Sequence, residues 1–202
     1  MGLRFSEPPP QALQVLMEGL RLKEGAPLIR GLEVRGDERV DVAAPHMLYT
    51  VDLDELIEHR SLTTARPAAW RYLIVKDDTL VGSAELATGK DKYSAERLAS
   101  TSQSPFDEET NIVLAVASAL PEVERGSFEV GVLRIPAIYV MALWLRDQEG
   151  TANLFIPMKP APSPLEAHVP YPEKRFVSIL IDLARPQLEF DSSPGQAEPP
   201  IV

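Results

Sequence analysis

The segment from residue 137 to residue 145 constrains the fold more than any other part of this 202-residue sequence. It is almost entirely apolar and uncharged, yet it is far too short to cross a membrane, which takes about 20 residues. Its length and its aromatic and β-branched side chains favour a strand that is buried on both faces. Tyr139 and Met141 would lie on one face and Trp144 on the other. Each face then needs a cover, from the chain's own helices, from a second subunit or from a partner protein.

Most other strand signals occur in pairs that flank a turn. The clearest pair, residues 70–75 and 80–87, is rich in strand-forming side chains and encloses the polar turn 76–79. The predicted strands are a short hairpin around Gly36-Asp37 marked by the alternation from Leu32 to Val42, another strand at 46–51, then 70–75, 80–87, 128–132, 137–145 and 153–156. Strands that follow one another in hairpins favour an α+β protein with an antiparallel or mixed sheet.

Apolar side chains at helical spacing predict about four helices, which we expect to pack mainly on one face of the sheet. The predicted helices occupy residues 7–24, 52–60, 105–120 and 172–184, with a single helical turn at 94–99. Ser6, Asp52 and Ser104 stand at the helix starts, where a short polar side chain caps the first backbone N–H groups. Glu55, three residues after Asp52, completes a capping-box pattern.

Length and composition favour one globular domain over residues 1–186. Hydrophobic residues make up 45% of the chain and charged residues 25%, which are ordinary values for a folded protein. Inside this domain, residues 157–172 contain six prolines and are predicted to form an extended connector. Residues 187–202 combine Ser, Pro, Gly and acidic residues, and we expect a flexible tail there.

The composition argues against several classes of function. The chain has no cysteine, which removes disulfides, thiolate metal sites and cysteine nucleophiles. Its formal net charge is −10, so phosphate backbones and anionic lipid surfaces repel it. We therefore expect no nucleic-acid binding and no membrane binding. Because no apolar segment of signal-peptide type follows a basic start, the predicted location is the cytoplasm.

The common catalytic and cofactor motifs are absent from the sequence, including glycine-rich phosphate loops, the nucleophile elbow and the zinc helix. We predict neither a cofactor nor a metal site. Glu55 and His59 are the weak catalytic candidates, because their i, i+4 spacing places both on one side of a helix. An ordinary surface pair is the favoured interpretation of these two residues. His46 and His168 are interpreted as loop residues.

Two groups of residues are candidates for binding. Trp70, Tyr72 and Trp144 lie in predicted strands and would line a pocket between the sheet and the helices. The second group consists of Tyr139 and Met141 on one face of the apolar strand, and these two residues are candidates for contact with a protein partner.

The proline-rich connector adds a possible recognition motif. Pro157 and Pro160 form a P-x-x-P pattern that an aromatic groove of a partner protein could recognise as a polyproline helix. A stiff spacer that positions the last helix is the favoured alternative.

Three functions remain open at this point. The leading hypothesis is a non-catalytic cytosolic interaction protein, an accessory or scaffold subunit that binds another protein or itself. It predicts an exposed apolar patch larger than a few hundred Å2. The alternative is a small-molecule binding domain, which predicts a closed cavity of at least about 300 Å3 lined by Trp70, Tyr72 and Trp144, whereas a solid core at those residues would contradict it. The third is a divergent small hydrolase, in which Glu55 and His59 meet in a cleft.

Overall fold

The computed structural model describes residues 2–21, 40–88, 97–148 and 152–191. These residues form one mixed sheet of nine strands with five helices, so the predicted α+β class is confirmed. The strands are β1 Gly2–Phe5, β2 Asp41–Thr50, β3 Arg66–Lys76, β4 Thr79–Ala87, β5 Arg97–Ser102, β6 Ser127–Ile135, β7 Val140–Asp147, β8 Leu154–Pro157 and β9 Tyr171–Pro172. The helices are α1 Ala12–Arg21, α2 Leu53–His59, α3 Pro105–Ser118, α4 Pro121–Arg125 and α5 Glu173–Asp191, with a 3-10 turn at Pro136–Ile138.

The sheet consists of two antiparallel meanders joined side by side. The strand order is β5-β4-β3-β2-β6-β7-β8-β9, and β1 pairs with β6 beside this path. All neighbouring pairs are antiparallel except β2 with β6 and β1 with β6, which are parallel. The first meander comprises β2 to β5 and the second comprises β6 to β9, so the parallel β2–β6 pair forms the seam between them.

The clearest predicted hairpin is confirmed. β3 and β4 pair through eight residue pairs and are joined at Asp77 and Asp78, whose φ angles are 47° and 61°. Positive φ at both central residues is the geometry that matches the twist of a two-residue hairpin. The turn predicted at Gly36-Asp37 lies outside the described residues, whereas the strand predicted after it belongs to β2.

Both faces of the sheet are covered by helices. On one face, α1, α2 and α5 pack over a cluster that includes Met47, Tyr49, Trp70, Tyr72, Trp144 and Phe155. On the other face, α3 and α4 pack over a cluster that includes Leu48, Ala69, Val130, Val132, Met141, Leu143 and Leu145. More of the described helices lie on the first face, which we call the aromatic face. We call the second the α3 face, and it too carries a cluster of buried apolar side chains.

The apolar strand that dominates the sequence is β7, and its two faces contribute to the two clusters. Ala142 and Trp144 belong to the aromatic face, while Met141 and Leu143 belong to the α3 face. The strand begins at Val140 rather than at residue 137, because the preceding residues form the 3-10 turn. The chain's own helices therefore cover β7 on both sides, and no outside partner is required for that purpose.

Helix starts differ from the prediction where prolines or side-chain partners intervene. The helix predicted at 7–24 begins only at Ala12, and residues 2–5 form β1 instead. Ser6 therefore does not cap a helix. The capping box at Asp52 and Glu55 does not form either, since Asp52 makes no side-chain cap and its carboxylate pairs with Arg66.

Three other boundaries were predicted wrongly. Residues 97–102 are strand β5 and not part of a helical turn. Pro121 opens α4 rather than only ending α3, because proline fits the first turn of a helix as well as it breaks an interior. The last helix continues through Pro186 to Asp191, so the part of the predicted tail up to that residue is helical. The rest of the tail lies outside the described residues.

Candidate functional site

A single row of residues crosses seven strands on the aromatic face. Cross-strand partners give the order Phe155, Trp144, Gly131, Met47, Trp70, Leu86 and Leu98. Gly131 is the only member without a side chain, and it sits on the seam. A Cβ atom at Gly131 would lie 3.1 Å from Cε2 of Tyr49, so the Tyr49 ring rests directly over the glycine. The absence of a side chain at Gly131 thus leaves room for the Tyr49 ring against this strand.

A cavity of about 270 Å3 opens beside this ring. Met47, Tyr49 and Trp70 line its apolar side, and each of them is at least nine-tenths buried. Its polar lining comes from β1, from the segment after β1, from β6 and from the residue that follows β7. The polar residues that line it are Arg4, Ser6, Glu7, Glu129 and Gln148. The cavity therefore has an aromatic floor and a rim that carries charges of both signs.

Side-chain hydrogen bonds hold the N-terminal wall of the cavity in place. Ser6 Oγ donates to Glu129 Oε1 at 2.5 Å, and Arg4 Nη1 donates to the Gln148 side-chain oxygen at 3.3 Å. The parallel pairing of β1 with β6 supports the same segment from its backbone. Both the wall and the floor are thus anchored to the seam strands.

Arg146 contacts Tyr49 in the floor of the cavity and Trp144 next to it. Its guanidinium lies 5.0 Å from the ring centre of Tyr49 and 5.3 Å from that of Trp144, within cation–π range. It also donates a 2.5 Å hydrogen bond to Tyr49 Oη and lies 3.9 Å from Glu129. Glu129 and Arg146 are direct cross-strand partners on β6 and β7, which explains how the two charges meet.

The aromatic layer continues from the cavity to α5. Ring centres are 5.1 Å apart for Tyr49 and Trp144, 5.3 Å for Trp144 and Phe155, and 4.5 Å for Phe155 and Phe176. Such offset and edge-on pairs stabilise a core beyond simple area burial. Trp144 therefore belongs to the packing that supports the cavity, without lining it.

Two polar atoms in this layer have no hydrogen-bond partner among the described residues, Tyr72 Oη and Trp144 Nε1. Burial raises the pKa of Tyr72 to about 12. Of the three predicted ligand-binding residues, only Trp70 lines the cavity, while Tyr72 and Trp144 lie in the core. The lining residues from Arg4 to Glu7 were missed, because the sequence pattern assigned that segment to a helix start.

A second, more open groove of about 760 Å3 lies at the β8–β9 edge of the sheet. It runs between the first turns of α5 and the residues that follow α2, and its lining includes Arg60, Lys174 and Ser178. It lacks the aromatic floor of the first cavity.

The α3 face buries charge instead of aromatic rings. Arg71 is only 2% exposed, and it donates to Thr110 Oγ1 at 2.8 Å and to Asp107 Oδ1 at 2.5 Å. The other oxygen of Asp107 accepts the backbone N–H of Ser104 at 2.7 Å. Burial lowers the pKa of Arg71, and the charges of Asp107 and Glu85 oppose that effect. The ion pair is sealed beneath α3, so its geometry fits a structural role.

His46 lies next to this ion pair and was wrongly interpreted as a loop residue. It belongs to β2, is the cross-strand partner of Arg71, and is fully buried. Its Nδ1 lies 2.7 Å from the carbonyl oxygen of Ala44. Burial, together with the charge of Arg71, lowers the pKa of His46 to about 3, so the ring is neutral near pH 7.

His168 does lie in the connector, but it makes a specific contact with α3. Its Nε2 is 2.6 Å from Glu109 Oε2, which also accepts the backbone N–H of Lys159 at 2.8 Å. Burial alone would raise the pKa of Glu109, but these hydrogen bonds outweigh it and the pKa lies below its ordinary value. The backbone N–H of His168 donates to the carbonyl of Pro157. These contacts fasten the proline-rich connector to the domain.

The weak catalytic pair is not assembled. His59 is exposed at the end of α2, and Oε2 of Glu55 is buried without a hydrogen-bond partner in the described part of the chain. No hydrogen bond or ion pair joins the two side chains among the described residues. The helical spacing was correct, but neither side chain lines either of the two cavities described above.

The residues predicted for protein interaction are split between surface and core. Tyr139 is 78% exposed at the β6–β7 turn, whereas Met141 is 5% exposed inside the core. Pro157 is buried in β8 opposite Ala142, and Pro160 is exposed. The two prolines therefore do not form a common exposed strip for an aromatic groove.

The described ranges contain no group of three or more His, Asp or Glu side chains placed to hold a metal ion. Within the same ranges, none of the helices has the length and apolarity that crossing a membrane requires. Comparison with protein-family models, with curated proteins and with solved structures finds nothing that matches this chain. Function must therefore be argued from the site alone.

Proposed function

We propose that this protein is a small-molecule binding domain whose ligand occupies the cavity over Met47, Tyr49 and Trp70. The observation that carries this proposal is the combination of a buried aromatic floor with a rim of charged and polar side chains. Ligand sites are typically concave and largely apolar, with a few polar groups that orient the ligand. No such combination accompanies the second groove.

The size of the cavity supports a small ligand. A volume of about 270 Å3 lies just below the range for ligand pockets, which begins at roughly 300 Å3, and just below the minimum predicted from the sequence for a binding domain. The space suits a metabolite of modest size better than a dinucleotide or another extended cofactor.

The same structure weakens the main argument for an interaction subunit. That argument rested on the two apolar faces of β7, and the chain's own helices cover both. Among the described residues, the exposed large apolar side chains lie on five different segments of the chain. They are Phe5, Leu13, Ile112, Tyr139 and Val169.

Tryptophan fluorescence offers a direct test, since the chain contains only two tryptophans. Trp144→Phe leaves Trp70 as the sole emitter at the floor of the cavity. We would screen a library of small metabolites against this variant and follow the emission of Trp70. A true ligand should change that emission saturably.

Two matched blocking variants locate the site. Ser6→Trp, made for calorimetry in the otherwise unchanged protein, places a large ring in the cavity and should abolish binding. Ser178→Trp places the same ring in the second groove and should leave binding intact. Loss of binding only in Ser178→Trp would move the site to the second groove, and a screen without any saturable ligand would reject the proposal.

One observation favours a second candidate function, protein interaction through Tyr139. This side chain is the most exposed large apolar group in the described ranges, and its φ of 54° is unusual for a bulky residue. Such strained residues tend to cluster at functional positions. Sedimentation of the wild type and Tyr139→Ser over a range of concentrations tests self-association, and identical monomeric behaviour of both would remove that form of the idea.

A further inference from the structure

We infer that the cavity binds a zwitterion of the α-amino-acid class with an apolar side chain. This inference rests on the proposed function, because it specifies the ligand of the same site. It comes from the distribution of charge around the rim and from the chemistry of the floor.

The rim carries both signs of charge at one opening. Arg4 supplies a guanidinium, while Glu7 and Glu129 supply carboxylates. Arg146, at 3.9 Å, already compensates part of the charge of Glu129, and the hydroxyl of Ser6 donates a hydrogen bond to the same carboxylate. The charges that remain for a ligand are therefore close to balanced, one guanidinium against one full carboxylate and part of another.

A ligand with one charge would leave part of this rim unmatched. A simple carboxylate would pair with Arg4 but would also meet Glu7 and Glu129. A simple amine would pair with the carboxylates but would approach Arg4. Like charges placed side by side repel each other, so a molecule that carries both charges is favoured over either singly charged analogue.

The floor adds an apolar requirement. Met47, Tyr49 and Trp70 present a thioether and two aromatic rings to the same space. Methionine and aromatic side chains bind aliphatic and aromatic groups without demanding hydrogen bonds. An ammonium and a carboxylate at the rim, with an apolar side chain on the floor, is the arrangement of an apolar α-amino acid.

A matched series of three compounds tests this inference. L-leucine carries both charges, 3-methylbutylamine lacks the carboxylate, and 4-methylpentanoate lacks the ammonium, while all three share the same branched alkyl group. Calorimetry with the full-length protein, supported by Trp70 emission in Trp144→Phe, should show leucine binding at least about tenfold more tightly than either analogue.

Charge-removing variants assign each contact. Arg4→Gln should weaken leucine binding and leave the affinity for 3-methylbutylamine unchanged or higher. Glu129→Gln should weaken leucine and leave the affinity for 4-methylpentanoate unchanged or higher. Arg125→Gln and Glu124→Gln make the same chemical changes on exposed positions of α4 and should alter neither affinity.

The failures of the two proposals are distinguishable. If an analogue binds as tightly as leucine, or if all three fail while another compound binds and is blocked by Ser6→Trp, the zwitterion assignment is wrong and the binding function stands. If no compound in the wider screen binds in a way that Ser6→Trp abolishes, both proposals fall together.

Discussion

The two faces of this sheet bury different kinds of polar group. On the α3 face, the ion pair of Arg71 and Asp107 lies inside the core with hydrogen-bond partners on both sides, next to His46 Nε2, which has no partner among the described residues. On the aromatic face, Tyr72 Oη and Trp144 Nε1 are buried without partners, while the charges gather at the rim of a cavity. Both faces carry polar groups, and the cavity described above lies on the aromatic face.

The comparison shows why a buried charge is a poor guide to function without its surroundings. Arg71 is the most deeply buried cation described, but its hydrogen bonds are used within the core and it lines neither of the two cavities described above. Arg4 is exposed and makes one long hydrogen bond to another described residue, yet it borders a cavity with an apolar floor. Access and unused hydrogen-bonding capacity separate a binding group from a structural one.

The largest expected effect comes from breaking the ion pair on the α3 face. Asp107→Ala would leave Arg71 buried without its counter-ion, and we expect a loss of about 3–5 kcal/mol in the free energy of unfolding. Asp52→Ala is the control, because the Asp52–Arg66 pair is 57% exposed at both side chains and should contribute about 1 kcal/mol or less. Urea unfolding of both variants decides the matter, and equal losses would contradict the contrast.

The second effect is a pH dependence that originates at His46. Its pKa is about 3 in the folded protein against an ordinary value of 6.5, so acidification protonates the unfolded chain first. Stability is fully present above pH 6.5 and falls by about 1.4 kcal/mol per pH unit as the pH drops toward 3.

The control for this dependence is His46→Asn, which keeps a polar group but cannot titrate. Between pH 7 and pH 4.5 the wild type should lose about 3 kcal/mol more than the variant. Parallel loss of stability in both proteins would show that His46 is not held neutral. Arg71 is present in both proteins, so its own contribution cancels when the two losses of stability are subtracted.

The third prediction compares one buried hydroxyl on each face. Thr110→Val removes the oxygen that accepts a hydrogen bond from Arg71, and it should reduce the free energy of unfolding by about 1–3 kcal/mol. Tyr72→Phe removes a hydroxyl without a described partner, and stability should remain unchanged or rise. A loss of more than about 1 kcal/mol in Tyr72→Phe would mean that this hydroxyl is hydrogen-bonded in solution.

The smallest effect on stability, and the sharpest on the cavity, is expected at Gly131. The added Cβ of Gly131→Ala would lie 3.1 Å from the Tyr49 ring, which must give way by a few tenths of an ångström. We expect a change of about 1 kcal/mol in stability, together with weaker ligand binding. NMR signals of the Tyr49 ring report the shift, and unaltered signals with unaltered affinity would show that the ring does not define the cavity.

Much of the fold was predictable because periodicity records burial. The β3–β4 hairpin, α2, α3 and the two-faced apolar strand follow from alternation and helical spacing alone. The predicted helix boundaries were wrong where the same residue type fits two different local structures. Prolines in residues 8–10 and Pro121 fit a helix start or a connector equally well, and Pro186 was accommodated within α5.

The site was less predictable, because its parts meet only across the seam. Trp70 was identified from its strand, but no local pattern links it to Arg4 or to Glu129. The one available signal was the charge on two neighbouring strands, Glu129 on β6 and Arg146 on β7. Alternation placed Glu129 opposite the apolar residues of its strand without showing that this side also faces the interior.

The parallel seam also determines when the binding site comes into existence. β2 and β6 are distant in sequence and pair through only three residue positions, whereas each meander is built from short-range hairpins. Local hairpins form faster than contacts that close a long loop, so joining the meanders is the slow event expected during folding. Met47 and Tyr49 come from one meander and Glu129 from the other, and the cavity does not exist until they meet. A ligand bound in the cavity would therefore contact both meanders at once. Its binding would report that the two meanders have joined and that folding is finished.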